Sequence, residues 1–304
     1  MTPPELFYSE PVYRPPSEGK KSLLLTATIG CSFKCTYCYP YKDKKFAIRD
    51  VFDIKKDIET AKILYKNQIE RIFLLDGNAF VMKPADLIEI SEYGYKIHPN
   101  LQRISAYAHA KDINRKSDED LRKIAQSGLN MVYVGIETGD DILLDRIKKR
   151  TNAEELAKAA QKCHRAGIVF SGTIILGLAG SNEQESRRHA IKTAELINHM
   201  NPLSPTTWYI SALTLMIPPG TPIEQEVLSH KLHPMSNLQI LEELRMIIEN
   251  ISDDLNGCIF RANHASNYLP LKGILSKDKQ KLLTTIDQGI KNPQSLKPEY
   301  FRGL

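Results

Sequence analysis

The sequence predicts an α/β fold, a mostly parallel sheet built from six βα units and followed by a C-terminal helical extension. Three observations carry that prediction. Short apolar, β-branched runs alternate with longer amphipathic stretches from about residue 21 to about residue 225. Cap-type residues open several of the amphipathic stretches, and glycines stand where two of them should end. After residue 225 the alternation gives way to helical patterns. Parallel strands need right-handed crossovers, so the available architectures are a doubly wound sheet or a barrel, full or partial. Periodicity alone does not choose between them.

Along the chain, residues 1–20 are Pro-rich without periodicity and read as an extended N-terminal arm. Strands are expected at 22–29, 71–75, 103–109, 131–137, 168–176 and 207–216. Helices are expected near 52–68, 84–97, 118–127, 152–166 and 182–199, with Asp53, Ser117, Asn152 and Ser181 as caps and Gly128 and Gly167 as terminators. The stretch 217–223, IPPGTPI, reads as a turn. A helix at 237–252, a short apolar piece at 258–260, a polar segment at 261–268 and a last helix near 276–291 complete the chain. The expected division is an arm at 1–20, a core at 21–225 and an extension at 226–304 that caps the mouth of the core.

The 304 residues are 42% hydrophobic and 25% charged, with a formal charge of +5, which describes a globular protein and by itself neither proves nor excludes an RNA substrate, since a nucleic-acid footprint is a concentrated patch. No run of about 18 apolar residues occurs, so no membrane-spanning helix is expected. The N-terminus lacks the apolar core of a secretory signal, and the expected compartment is the reducing cytoplasm. In that compartment the odd count of 5 cysteines, three of them within eight residues, points to metal or catalysis more than to disulfides.

Those three are Cys31, Cys35 and Cys38, in GCSFKCTYCYPY beyond the carboxyl end of the first strand, where α/β folds place ligands. Three thiolates from one short loop suit an iron–sulfur cluster or a zinc ion. Structural zinc favours paired C-x2-C units and a closed shell, whereas the first spacing here is C-x3-C and no paired knuckle follows. The run from Cys31 to Cys38, with the aromatic Tyr37 before the third cysteine, resembles the CxxxCxΦC loop of the radical S-adenosylmethionine (SAM) superfamily. The similarity extends over roughly residues 20–225. It implies a partial (β/α)6 TIM-like barrel as the radical SAM core, and three thiolates holding a [4Fe–4S] cluster whose open iron chelates SAM. One electron then yields a 5′-deoxyadenosyl radical that abstracts a substrate hydrogen. The resemblance also implies a low-potential electron donor such as flavodoxin or ferredoxin.

Weaker motifs fall where that family would place SAM contacts. Asp76, Gly77 and Asn78 follow the second strand where relatives carry Gly-Gly-Glu, and an acceptor for the SAM ammonium is needed there; a plain Asp-Gly turn is the alternative. Ser105, Tyr107 and His109 alternate along the third strand and so share a face, lining a cavity or packing under helices. Ser105 is assigned to the cofactor, Tyr107 and His109 to the substrate. Glu137 ends the fourth strand as a SAM contact or as a helix cap. Arg150, in the run 148–150, is the candidate for the SAM carboxylate, or else part of a solvated charge run. Gly177, after the fifth strand, lets backbone approach adenine or simply makes a turn. The sixth-strand region, 213–222, resembles a subgroup related to the oxygen-independent coproporphyrinogen oxidases.

Arg261, Asn263, His264, Ser266 and Asn267 are the candidates for substrate recognition, with His264 also able to act as acid or base. Cys258 is a candidate hydrogen-atom donor to a radical intermediate, while Cys163 reads as a packed small hydrophobe. The expected function is a radical SAM enzyme acting on a small molecule. Three alternatives stay open: modification of a tRNA base or protein side chain, motivated by a basic rim of Lys42, Lys44 and Lys45; transfer of an aminocarboxypropyl group; and a non-enzymatic zinc or electron-transfer protein.

Overall fold

The computed structural model describes residues 5–15 and 18–303; residues 1–4, 16, 17 and 304, which include part of the expected arm, lie outside the described residues. In chain order the elements are β1 (Ser22–Thr26), β2 (Thr28–Ile29), β3 (Ala47–Ile48), α1 (Val51–Tyr65), β4 (Arg71–Leu75), α2 (Pro84–Ile97) and β5 (Arg103–Ala108). Next come α3 (Ala110–Arg115), α4 (Asp118–Gln126), β6 (Leu129–Glu137), α5 (Asp141–Arg146), α6 (Ala153–Ala166), β7 (Val169–Leu176) and α7 (Glu183–His199). The chain continues through β8 (Trp208–Thr214), α8 (Pro222–Leu228), α9 (Asn237–Glu249), β9 (Cys258–Arg261), β10 (Lys272–Ile274) and α10 (Leu275–Lys291).

Eight strands form one sheet in the order β1-β4-β5-β6-β7-β8-β9-β10, while β2 and β3 pair separately. Registers run parallel from Ser22 opposite Arg71 in β1 and β4 to Trp208 opposite Cys258 in β8 and β9. The terminal pair of this sheet, β9 with β10, is antiparallel, as is the separate β2–β3 pair. The expected α/β class and mostly parallel sheet are therefore present, with two corrections. The 258–260 piece is a parallel strand of the main sheet, so the C-terminal region is not purely helical. The stretch 217–223 ends inside α8, because Pro222 is tolerated at the first helical turn and Thr221 caps it.

Local chemistry explains the helix starts. Ser117 closes a capping box with Asp120, and Asn152 accepts from the Glu155 N–H, as expected. The caps of α1 and α7 are Asp50 and Asn182 rather than Asp53 and Ser181, since those side chains reach the free N–H groups of the first turn. Gly128 and Gly167 do end helices, with φ of +100° and +77°.

The chain divides into two compact units, 1–34 with 40–134 and 162–170, and 35–39 with 135–161 and 171–304. The division passes through β6, β7 and the cysteine loop. In the first unit, buried Phe73 of β4 packs edge-on against Tyr107 of β5 and Tyr133 of β6, with ring centroids 4.8 and 5.7 Å apart. Burying one such ring contributes roughly 1.5–3 kcal/mol. In the second, Leu143, Ile147, Ile175, Leu178 and Ile223 form a buried cluster against which Tyr37 packs.

Candidate active site

The first unit brings together the segments after β1 and β4. Asp76 is buried, and its Oδ2 accepts from the Gly30 N–H at 2.9 Å and from Lys44 Nζ at 3.0 Å. Lys44 is thus turned inward, which removes it from the expected basic rim. Gly77 is required where it stands: a Cβ there would lie 2.7 Å from the Tyr41 ring and 2.8 Å from Cys31 Cβ. Asn78 is fully buried and donates from Nδ2 to Asp112 at 2.7 Å and to Ser32 at 3.3 Å. Its Oδ1 has no hydrogen-bond partner, an expensive state for a buried acceptor.

Beside these, the Phe33 ring stacks on His109 with centroids 3.6 Å apart and planes 13° apart. His109 caps α3, its Nδ1 accepting from the Lys111 N–H, so the neutral ring carries its proton on Nε2. Ser105 lies near the start of β5, where its hydroxyl donates to Glu18 at 2.8 Å; Glu18 also accepts from Arg103 at 2.6 Å. Burial pushes the Tyr107 phenol well above its usual range.

The second unit holds Cys35, Tyr37 and Cys38 on a segment pinned from two sides. The Thr36 N–H donates to Ile147 O at 3.0 Å, and the Ile223 N–H donates to Thr36 O at 3.2 Å. Tyr37 hydrogen-bonds Glu137; burial first, and then Glu137, push its phenol well up, so it stays protonated and donates. Burial likewise raises the Cys35 thiol, against the opposing pull of Lys149.

Glu137 ends β6 at φ +66°, a conformation an L side chain adopts only when its surroundings hold it there. Its Oε1 lies 2.6 Å from Lys149 Nζ, and both side chains are buried. The pair folds over Gly135, where a Cβ would come within 2.0 Å of Glu137 Oε1 and 2.8 Å of Lys149 Nζ. Glu137 caps no helix, since α5 is capped by Asp140. Of the run 148–150, Lys149 is the residue turned inward, while Arg150, the candidate singled out from sequence, is exposed. Within a Lys-Lys-Arg run the residue turned inward is set by backbone geometry, which leaves no trace in residue type.

Other candidates have structural partners. The Gly177 N–H donates to Glu243 at 2.7 Å, and a Cβ there would meet Ile240 at 2.6 Å. Ser266 Oγ accepts from the Thr214 N–H at 3.2 Å, and Asn267 donates to Ala212 O at 2.8 Å while accepting from Thr214 Oγ1 at 3.0 Å. These bonds fasten the polar segment to β8. His264 pairs through Nδ1 with Ser266 at 2.9 Å, and burial with nearby Lys297 lowers its pKa. The Arg261 guanidinium sits 5.2 Å over the Tyr209 ring, and Asn263 is exposed. Cys258 is buried in the core, which pushes its thiol well up.

The donor set suits an iron–sulfur group. Cys31, Cys35 and Cys38 are half-buried, whereas Cys163 and Cys258 are sealed in apolar surroundings. Among the described residues no three His, Cys, Asp or Glu side chains form a ready-made metal cage, so loading would require the loop thiols to converge. Also among the described residues, no helix is long and apolar enough to cross a membrane.

Comparison with known proteins completes the picture. Residues 25–191 match the model of the Radical SAM superfamily. The bacteriochlorophyllide d C-8(2)-methyltransferase of Chlorobaculum tepidum is 23% identical over 176 residues, 53% of this chain and 37% of the relative. The tRNA-2-methylthio-N(6)-dimethylallyladenosine synthase of Ehrlichia canis is 25% identical over 201 residues, 63% and 44% of the two chains. The chain thus spans less than half the length of these relatives. In fold it is similar to methylornithine synthase, with a TM-score of 0.53 at 16% identity over 87% of this chain and 68% of that one. The match over more than half the chain shows that this protein belongs to the radical SAM superfamily, enzymes that work with a [4Fe–4S] cluster and SAM on a partial α/β barrel.

Proposed function

We propose that this enzyme holds a [4Fe–4S] cluster on Cys31, Cys35 and Cys38, cleaves SAM reductively, and abstracts a hydrogen atom from a small-molecule substrate. The observation that carries the proposal is the family match over residues 25–191, which contains three half-buried thiols on one loop. When bound, the cluster and SAM supply a 5′-deoxyadenosyl radical.

The chain's own residues have distinct tasks in this reading. Asn78 Oδ1, a buried acceptor without a donor, takes the SAM ammonium. Lys149 meets the SAM carboxylate, Glu137 a SAM hydroxyl, and Tyr37 fixes the Glu137 carboxylate. Asp76 has its charge answered by Lys44 and acts on Gly30 instead of on SAM. Tyr107 and His109 serve the substrate, with Arg261, Asn263 and His264 contributing polar contacts and Ser266 and Asn267 holding that segment in place. The working environment is the cytoplasm, with a low-potential donor such as flavodoxin or ferredoxin as the electron source.

The inward turn of Lys44 weakens the basic rim that favoured RNA, and so supports a small substrate. Anaerobically reconstituted enzyme, reduced with dithionite in the presence of SAM, should release 5′-deoxyadenosine. Release of 5′-methylthioadenosine instead would transfer the reading to aminocarboxypropyl chemistry. Tight RNA binding that falls steeply with salt would move the substrate to tRNA.

A further inference from the structure

Lys44 stands where three segments of the first unit meet. Its ammonium donates to Ser9 O at 2.6 Å and Pro11 O at 3.1 Å in the N-terminal arm, and to Asp76 Oδ2 at 3.0 Å after β4. The same Asp76 oxygen accepts from the Gly30 N–H, one residue before Cys31. Contact is close throughout: a Cβ on Gly30, at φ +68°, would lie 2.9 Å from Lys44 Cβ. An ammonium has three donors, and here each is aimed at one oxygen. The Lys44 side chain is only 9% exposed. A buried charge is tolerated when it is paired and hydrogen-bonded, so none of the three partners is dispensable.

The 41–44 turn that delivers Lys44 is itself built on an ammonium. Lys34 donates to Tyr41 O at 3.1 Å, Lys42 O at 3.3 Å and Lys44 O at 3.2 Å. The turn therefore closes back on the residue just before Cys35 in the sequence. Elsewhere the arm is held by the Thr26 hydroxyl donating to Phe7 O at 3.1 Å and by the Arg49 guanidinium 4.5 Å over the Phe7 ring. Between Phe7 and Arg14 the Lys44 bonds to Ser9 and Pro11 tie the arm, through Asp76, to Gly30 beside Cys31.

We infer that Lys44 is a positioning residue that couples the N-terminal arm to the cysteine loop: seating the arm on Lys44 completes the Asp76 site that fixes Gly30 and, through it, Cys31. The arm is a strap whose docking and the geometry of the first thiol form one equilibrium. Partners that share a buried charge in this way are coupled, so releasing one loosens the other.

The test uses the full-length protein without cluster, which keeps it independent of the proposed chemistry. Lys44→Met is compared with wild type by chymotrypsin cleavage after Tyr8 and Tyr13 and by amide hydrogen exchange at Gly30 and Cys31. The expected result is a rise of at least tenfold in both readouts, with exchange in α9 and α10 unchanged. Lys44→Arg keeps the charge but cannot bring one ammonium to three oxygens. It provides the milder variant should Lys44→Met fail to fold, and should show the same paired change at lower amplitude. Arm release without faster Gly30 exchange, faster exchange without arm release, or no change in either would overturn the inference. Failure of SAM cleavage with both readouts as expected would instead count against the proposed function alone.

Discussion

Each compact unit buries a carboxylate–lysine pair whose carboxylate stands at the end of a strand, Asp76 after β4 and Glu137 closing β6, and the surroundings of the two pairs differ. Asp76 follows β4 and Lys44 precedes β3, and the bonds of this pair run to the main chain: Asp76 Oδ2 accepts from the Gly30 N–H, and Lys44 donates to Ser9 O and Pro11 O. Glu137 ends β6 and Lys149 lies beyond it, and the groups around this pair include a tyrosine hydroxyl, the Cys35 thiol and the bare backbone of Gly135. A pair closed by main-chain groups builds structure. A pair faced by a phenol and a glycine, with its carboxylate held at positive φ, keeps side-chain charge close to the cysteine segment of its own unit. A buried carboxylate–lysine pair is thus scaffold in the first unit and, in the function proposed above, a ligand site in the second.

The largest test of this contrast is removal of the second carboxylate. Glu137→Ala leaves Lys149 buried without its anion, which should cost about 3–5 kcal/mol in urea unfolding. SAM cleavage should fall by roughly 100-fold or more. Glu137→Gln keeps the shape, and if it retains full SAM cleavage the ligand role of this pair is broken. Next in size, Asn78→Ala removes the buried amide proposed for the ammonium. A hydrogen bond to a charged group is worth about 1.5–3 kcal/mol, so SAM affinity by equilibrium dialysis should fall roughly tenfold to a hundredfold. An unchanged affinity would return that role to Asp76.

Two glycine substitutions sharpen the comparison with smaller effects. Gly135→Ala pushes the ends of Glu137 and Lys149 apart, and Gly77→Ala pushes on Tyr41 and Cys31. Each should cost about 1–3 kcal/mol as local overpacking. The first should weaken SAM binding with iron content retained, and the second should lower iron content. The smallest effect lies in the first unit, at a residue outside both pairs. Burial, ahead of Lys62, lowers the pKa of His98, whose Nε2 lies 3.2 Å from Ile58 O. The unfolded state then binds more protons, so this contribution is complete above about pH 6.5 and is lost as pH falls through the folded value. His98→Gln should flatten that part of a stability–pH curve without moving either pair.

The fold was largely legible because its signals are local. The helix at 84–97 ends where expected, and Ser117 and Asn152 cap as their spacing implies. What escaped was short or depended on distant partners. Nothing in 258–260 says that it joins β8, because a four-residue strand is defined by its neighbour. The site divided in the same way. The cysteine loop is a contiguous motif and could be read directly, as could the strand ends at Asp76 and Glu137. Lys44 could not be separated from Lys42 and Lys45, nor Lys149 from Arg150, because only the backbone decides which of several adjacent cations turns inward. Ser266 and Asn267 look like ligand groups in sequence, yet their hydrogen bonds go to β8.

The central claim is that the cysteine loop carries a [4Fe–4S] cluster with one iron open to SAM. Electron paramagnetic resonance of the anaerobically reconstituted and reduced protein, recorded with and without SAM, tests it most directly. The account predicts about four irons per chain, a reduced-cluster signal whose g-values shift when SAM is added, and no such signal in Cys38→Ala. Stoichiometric zinc, or a cluster spectrum indifferent to SAM, would contradict it.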